Sequence, residues 1–268
     1  MRKFFLISLV TVTVVSLLTV GFFSRRSREQ ALYEQAMAAL DENLSGAAVE
    51  YLTTFLVKYP ENELYPEVLL QRATIFFLYQ SRYLEAISDL RELLNKYPTN
   101  RHAFEARRTI AEILEMKVRD CRRAIVEYQR LIDDYETVVE DDIFQYRIAS
   151  CFYELQKFEQ SKLEFYKLIY NYPASKQVDD SYFQIANILQ TQGALSDAKK
   201  AFQLYLVRYP EGDYSVDAKF NLAATMEEME DLEEALRMYH EVFEEYPNKE
   251  AVSWRIEKVA ERIEKRGR

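Results

Sequence analysis

The side chains able to do chemistry are few in kind. The chain holds two histidines, His102 and His240, and two cysteines, Cys121 and Cys151. The histidines lie too far apart in sequence for a local metal motif, and two cysteines cannot build a disulfide framework. Carboxylates are plentiful, 44 Asp plus Glu, but acid–base work needs such groups to converge in a pocket with a nucleophile or base, and no such pairing is visible. Glycine numbers only five in 268 residues, too few for the loops that cradle phosphate. The chain is therefore read as not an enzyme, with no catalytic residue, no metal site, no cofactor and no small-molecule substrate. Cys121 and Cys151 are expected as buried small apolar side chains, with a disulfide left open should the compartment be oxidising.

Two features outside that chemistry organise the chain. The first is an uncharged run of twenty residues, Phe4 to Phe23, after Arg2 and Lys3 and before Arg25, Arg26 and Arg28. As a helix it would extend about 30 Å, the thickness of a bilayer's hydrocarbon core. A cleaved signal peptide has a shorter apolar core, of about 7–15 residues, and a small-residue cleavage site. An uncleaved signal-anchor is expected, with residues 1–3 as an N-terminal tail, 4–23 as the transmembrane helix and 24–30 as a basic juxtamembrane segment. Basic residues balance on its two sides, so they do not orient it. Taking the five flanking basic residues from the net charge of −9 leaves −14 on residues 29–268, which argues against nucleic acid as a partner.

The second feature is a repeat. Every one of the six prolines follows a tyrosine, and five pairs recur in register: Tyr59-Pro60, Tyr97-Pro98, Tyr172-Pro173, Tyr209-Pro210 and Tyr246-Pro247. With Tyr135-Glu136 as the sixth beat, successive tyrosines stand 38, 38, 37, 37 and 37 residues apart. A period of that size signals an α-solenoid. Twelve places before the proline position stand Ala48, Ala86, Ala124, Ser161, Ala198 and Ala235; twenty-four before it, Ala36, Thr74, Glu112, Ala149, Ala186 and Ala223. Eight before it stand Leu52, Leu90, Tyr128, Phe165, Phe202 and Tyr239. Small residues facing large ones at these steps predict two packed helices of about 13 residues per unit, closed by proline, with apolar residues such as Leu163, Tyr166 and Ile169 at helical spacing.

These residues resemble the tetratricopeptide repeat (TPR) family. The Tyr-Pro ending of each unit looks most like envelope TPR proteins of Gram-negative bacteria, of the outer-membrane β-barrel assembly lipoprotein and Tol-Pal accessory types, although the lipidation cysteine is absent. The resemblance implies an all-α fold: a right-handed TPR superhelix of about six hairpins over 31–249, with a capping helix at 250–268. Repeat three departs from the pattern at Glu112 and Glu136. In the cap, Val252, Ile256, Val259 and Ile263 form one apolar stripe, and Trp254, off that stripe, is read as packing on the last repeat, with a partner contact as the alternative.

The family geometry also implies a concave groove lined by the first helix of each pair. Its residues here are Tyr33, Met37, Ile75, Leu78, Ile113, Met116, Tyr146, Tyr153, Phe183, Asn187 and Phe220. Two readings stand side by side: an apolar trough for an extended peptide or amphipathic helix, and packing against neighbouring repeats. A clamp for the carboxylates of chaperone tails is rejected, because only Asn187 matches its pattern. Residues 101–130 hold eight basic against five acidic side chains, so Arg107, Arg108, Arg119, Arg122, Arg123 and Arg130 are a candidate basic docking patch beside the reading of a solvated helix face. The acidic stretch 133–142, where the proline is missing, is a candidate hinge.

The expected function is a membrane-anchored TPR scaffold or adaptor. Its soluble domain would face the periplasm from the bacterial inner membrane and bind another envelope protein through the groove, in assembly, quality control or coordination of envelope machinery. Its partners would be proteins, and the bilayer through the N-terminal helix. An obligate subunit of a secretion or motility complex, and a receptor-type TPR facing the cytoplasm, are the alternatives.

Overall fold

The computed structural model describes residues 28–135 and 140–267, and these are all-helical, with no strand among the described residues. The anchor expected at 4–23 lies outside the described residues, as do residues 136–139 of the candidate hinge. Among the described residues, no helix is long and apolar enough to cross a membrane. The described residues divide into two compact units, the first ending at Arg119 and the second beginning at Asp120.

In the first unit, α1 covers residues 28–41, followed by α2 (Ser45–Lys58), α3 (Tyr65–Leu78), α4 (Tyr83–Lys96), α5 (Ala103–Glu112) and a π-helical turn, Ile113–Lys117. Here α2 packs on α3, α3 on α4 and α4 on α5. In the second unit, α6 (Cys121–Asp134), α7 (Asp141–Glu154), α8 (Phe158–Asn171), α9 (Gln177–Thr191), α10 (Leu195–Arg208), α11 (Ser215–Glu228), α12 (Leu232–Val242) and α13 (Lys249–Arg266) each pack on the next. In addition, α9 touches both α7 and α11, so the first helices of successive hairpins are neighbours.

The small–large register is what closes these pairs. Ala48, Ala86, Ala124, Ser161, Ala198 and Ala235 are all fully buried, and so are Leu52, Leu90, Phe202 and Tyr239, with Phe165 and Tyr128 nearly so. A side chain no larger than Ala or Ser lets two helix backbones approach, and the large residue one turn on fills the space beside the contact. Ser161 keeps its hydroxyl satisfied by donating to the Ala149 carbonyl at 2.8 Å. Of the second set of small positions, Ala36, Ala149, Ala186 and Ala223 are fully buried, whereas Thr74 and Glu112 are half-buried. Directly after Glu112 the helix widens into the π turn, where the Val118 N–H bonds the Ile113 carbonyl at 2.9 Å.

The helix ends show how much of the repeat is backbone geometry. Tyr59, Tyr97, Tyr172 and Tyr209 close their helices with φ between −134° and −127° and ψ of 57–61°, values outside the α region, which a following proline disfavours. Tyr135 adopts nearly the same pair, −130° and 65°, although Glu136 follows it. The tyrosine position keeps its shape without the proline. Six turns between successive helices each rest on one left-handed residue: Asn43, Ser81, Arg119, Gln156, Gly193 and Glu230, with φ of 54–72°. After Asn43, Gln156, Gly193 and Glu230 the next N–H reaches five residues back, as Lys157 does to Phe152 at 2.9 Å, which is the Schellman arrangement. Only one of the six is glycine, so five side chains bear the steric cost of a left-handed backbone. Replacing the exposed Ser81 with glycine is expected to raise stability by about 1 kcal/mol, read as a higher midpoint in urea denaturation.

The cap forms as its stripe predicts: Val252 and Val259 are buried, and Ile256 and Ile263 pack on the same core. Trp254 differs from expectation. It is 54% exposed, because it lies off the apolar stripe, and the Arg255 guanidinium lies 5.5 Å from its ring. A second correction concerns α8. Its buried face is Ser161, Phe165 and Leu168, while Leu163 and Tyr166 are exposed and Ile169 is half-buried. The helix carries apolar residues on two sides, and the one that includes the small Ser161 is turned inward. Cys121 and Cys151 are buried.

Candidate protein-binding face

In the first unit the residues expected in a groove divide by depth. Tyr33 and Met37 on α1 are half-buried, Ile75 on α3 and Ile113 in the π turn are fully buried, and Leu78 and Met116 are exposed by 63% and 56%. Ile75 and Ile113 are core residues here, which removes them from a binding surface. Beside them, Glu67 gathers its neighbours: it accepts from Gln71 at 3.1 Å and lies 2.6 Å from His102 Nε2 and 3.3 Å from Arg101. Burial pushes the Glu67 carboxyl up, but Gln71, His102 and Arg101 together hold it below its ordinary value. His102 is thus part of a polar group around Glu67 that spacing alone did not show.

In the second unit the aromatic residues of the expected trough are mostly engaged in packing. Phe183 is buried and stacks on Tyr214 with ring centres 4.7 Å apart. Phe220 stacks on Tyr246 at 4.5 Å, Tyr153 meets Phe158 edge-on at 5.6 Å, and Tyr146 meets Phe165 edge-on at 5.5 Å. Their polar neighbours form a seam across three helices. The Tyr146 hydroxyl on α7 donates to Asp180 on α9, Asn221 on α11 donates its amide to the Asn187 side-chain oxygen at 3.0 Å, and Gln190 donates to the Asn221 carbonyl at 3.4 Å. Gln184 donates to the other Asp180 oxygen at 3.0 Å. The face shared by α7, α9 and α11 therefore presents carboxamides and carboxylates over a stacked aromatic base.

Asp180 and Asn221 were missed as site residues, yet both carried a signal. Each stands 34 residues after its partner, Tyr146 or Asn187, which is the repeat of 37 less one helical turn. A residue in that relation faces its partner from the next first helix.

The last repeat is locked to the cap through Glu227. This buried carboxylate accepts from Tyr239 at 3.0 Å, from Arg255 at 3.2 Å and from Arg262 at 2.9 Å. Arg262 and Arg266 also pair with Glu230. Burial, and then the Glu227 charge, push the Tyr239 phenol well above its ordinary value of 10.0. A phenol whose folded pKa is raised contributes stability below pH 10 that is lost as the pH climbs past it. Tyr146 and Tyr205 are shifted in the same direction. Stability is expected to fall from about pH 10 upward, and in Tyr239→Phe that fall should be shallower, as measured by thermal unfolding across an alkaline pH series.

The arginines of repeat three divide between the units, with Arg107, Arg108 and Arg119 in the first and Arg122, Arg123 and Arg130 in the second. In the first, Arg108 pairs with Glu105 at 2.9 Å. In the second, Arg123 pairs with Asp120 at 2.6 Å and Arg130 lies 4.0 Å from Glu127. Pairs of this kind suit a solvated helix face. Among the described residues no group of three or more His, Cys, Asp or Glu side chains is placed to hold a metal ion.

Stacked helical hairpins of constant length, closed by small residues and bearing a polar face on their first helices, define an α-helical repeat protein of the protein-interaction class. The family model of the tetratricopeptide repeat matches residues 67–100, 144–175, 180–212 and 217–249, and these stretches are tetratricopeptide repeats. The match passes over the repeat that carries Glu112 and Glu136. Comparison of the sequence with curated proteins gives no match. Among solved structures, the chain is similar to a tetratricopeptide repeat protein from Parabacteroides merdae, at TM-score 0.53 and 15% identity, over 87% of this chain and 98% of that one. It is also similar to PilW, a type IV pilus biogenesis factor, at TM-score 0.51 and 16% identity, over 87% and 98%. YrrB, a TPR protein with an unusual peptide-binding site, gives TM-score 0.52 and 15% identity over 76% and 96%. At these identities the likeness is one of fold.

Proposed function

We propose that the chain is a scaffold that holds a segment of another protein on the α7–α9–α11 face. Residues 4–23 tether it to the bacterial inner membrane, and its repeats lie in the periplasm. The observation that carries the binding reading is the seam from Tyr146 and Asp180 to Asn187 and Asn221. Its donors and acceptors are held in place by bonds between successive helices, so their ordering cost is met before a ligand arrives. An extended peptide offers backbone N–H and C=O groups that suit such carboxamides. Similarity to a pilus biogenesis factor and to a peptide-binding TPR protein supports an envelope scaffold. The uncharged run of twenty residues between basic flanks supports the tether.

Site-specific photo-crosslinking in the native cell tests the site. A crosslinker at Asn187 should capture a defined protein that one at Glu233, on α12, does not. Equal capture from both positions would shift the reading to an obligate subunit with contacts all round. Protease added to intact spheroplasts should digest the repeats; protection would place them in the cytoplasm.

A further inference from the structure

The face of the proposed function has a sign, and that sign identifies its ligand. We propose that the α7–α9–α11 face binds a basic, extended segment of its protein partner, one rich in lysine or arginine. This rests on the reading of that face as the binding site and names what it selects. Each of the three helices carries a net charge of −2: α7 has Asp141, Asp142 and Glu154 against Arg147, α9 has Asp179 and Asp180, and α11 has Asp217, Glu227 and Glu228 against Lys219. Among the second helices of the same unit, α12 alone shares this excess, with Glu233, Glu234 and Glu241 against Arg237. Acids and bases balance within α6 and within α8, and α10 carries Lys199, Lys200 and Arg208 against Asp197. Taken together the three first helices carry −6 and the four second helices 0, so the chain's overall acidity does not account for the sign of this face.

The positions of the carboxylates make the same point. Acids in the first turn of a helix are favoured by its dipole, and acids in the last turn are disfavoured. Yet α7 ends on Glu154 and α11 on Glu228, both exposed, and none of the three helices has a basic residue in its last turn. Glu227 is offset by Arg255 and Arg262 from the cap, whereas Glu154 and Glu228 bear charge against their own helix ends. A cation arriving on this face would relieve both.

One edge of the face is also aromatic. Ile143, Asp180, Asp217 and Trp254 repeat at 37-residue steps, so they occupy one register position on α7, α9, α11 and α13. Trp254 and Ile143 are exposed. Lysine and arginine pair their charged heads with carboxylates while their stems lie on apolar or aromatic surface. An edge whose two carboxylates are flanked by Ile143 and Trp254 meets both needs.

Trp254 is the chain's single tryptophan, and its fluorescence reports on that edge. The full chain, purified in detergent, would be titrated with three labelled peptides of one extended sequence in which alternate residues are Lys, Gln or Glu. The Lys peptide should change Trp254 emission and bind about tenfold tighter than the Gln peptide. Its affinity should fall steeply between about 50 and 300 mM salt. The triple variant Glu154→Gln, Asp217→Asn, Glu228→Gln should weaken it about fivefold or more, and Asp197→Asn with Glu233→Gln, off the face, should leave it unchanged. Equal binding of the three peptides would overturn the inference, as would equal loss in both variants or no binding by the Lys peptide. The crosslink from Asn187 separates the two levels. Capture that persists undiminished in the triple variant would leave the face as a binding site and remove its charge selectivity, whereas capture lost from the wild type as well would remove the site itself.

Discussion

Arg72→Ala is expected to destabilise the chain by about 3–5 kcal/mol. Arg72 on α3 grips Asp89 on α4 through two parallel bonds, Nε to Oδ2 at 2.8 Å and Nη2 to Oδ1 at 2.7 Å, and its Nη1 also donates to Thr53 on α2 at 3.0 Å. One side chain thereby joins three helices. The Asp89 side chain is only 7% exposed, and burial raises its carboxyl even though Arg72 opposes the shift. Without Arg72 the charge would be left buried and alone, and it would be forced to take up a proton. A folded-state pKa raised in this way contributes stability at low pH that is lost as the pH rises through it. The penalty of Arg72→Ala should therefore be smaller at about pH 5 than at pH 7, which a merely lost packing contact would not produce. The double variant Arg72→Met, Asp89→Leu should recover most of the loss. Urea denaturation followed by far-UV circular dichroism at the two pH values checks all three outcomes.

Phe202→Ala should cost a similar amount, about 3–5 kcal/mol. Phe202 on α10 is fully buried and lies 6.2 Å from Phe183, ring centre to ring centre, in the core that runs from Ala186 on α9 to Val259 on α13. Removing the ring would leave a cavity beneath Phe183. The surrounding helices cannot close it, because Ala198 and Ala235 already hold them at close contact. The consequence reaches function, since Phe183 and Tyr214 stack as part of the base on which the polar seam rests. Phe202→Leu should cost less and keep the binding face. If Phe202→Ala unfolded no more easily than Phe202→Leu, this core would be looser than its burial implies.

Much of the architecture was legible before any coordinates. The six small residues at one register and the six large ones eight places before the proline position were found buried where the period put them. So was the cap stripe of Val252, Ile256, Val259 and Ile263. These features are legible because every unit solves the same local problem: two short helices can approach only across a small side chain, so the constraint recurs at each period. The binding face was less legible. Ile75, Ile113 and Phe183 look like surface anchors by family position but are buried, and the polar residues that hold the seam, Asp180 and Asn221, belong to no single repeat. They are joined by bonds between one first helix and the next.

The sequence by itself determined the helical hairpins, their length, their register and their number. Each depends on residues within one period, where spacing along the chain is spacing along a helix. Only the tertiary structure decided which of two apolar faces turns inward, as on α8, where Phe165 is buried and Tyr166 is exposed although both suit a core. It alone decided that His102 meets Glu67, that Arg72 meets Asp89, and that the carboxylates of α7, α9 and α11 share a face. Those outcomes depend on a rotation of about 100° per residue about each helix axis. Contact with the neighbouring helices selects that rotation, and no spacing within one helix records it.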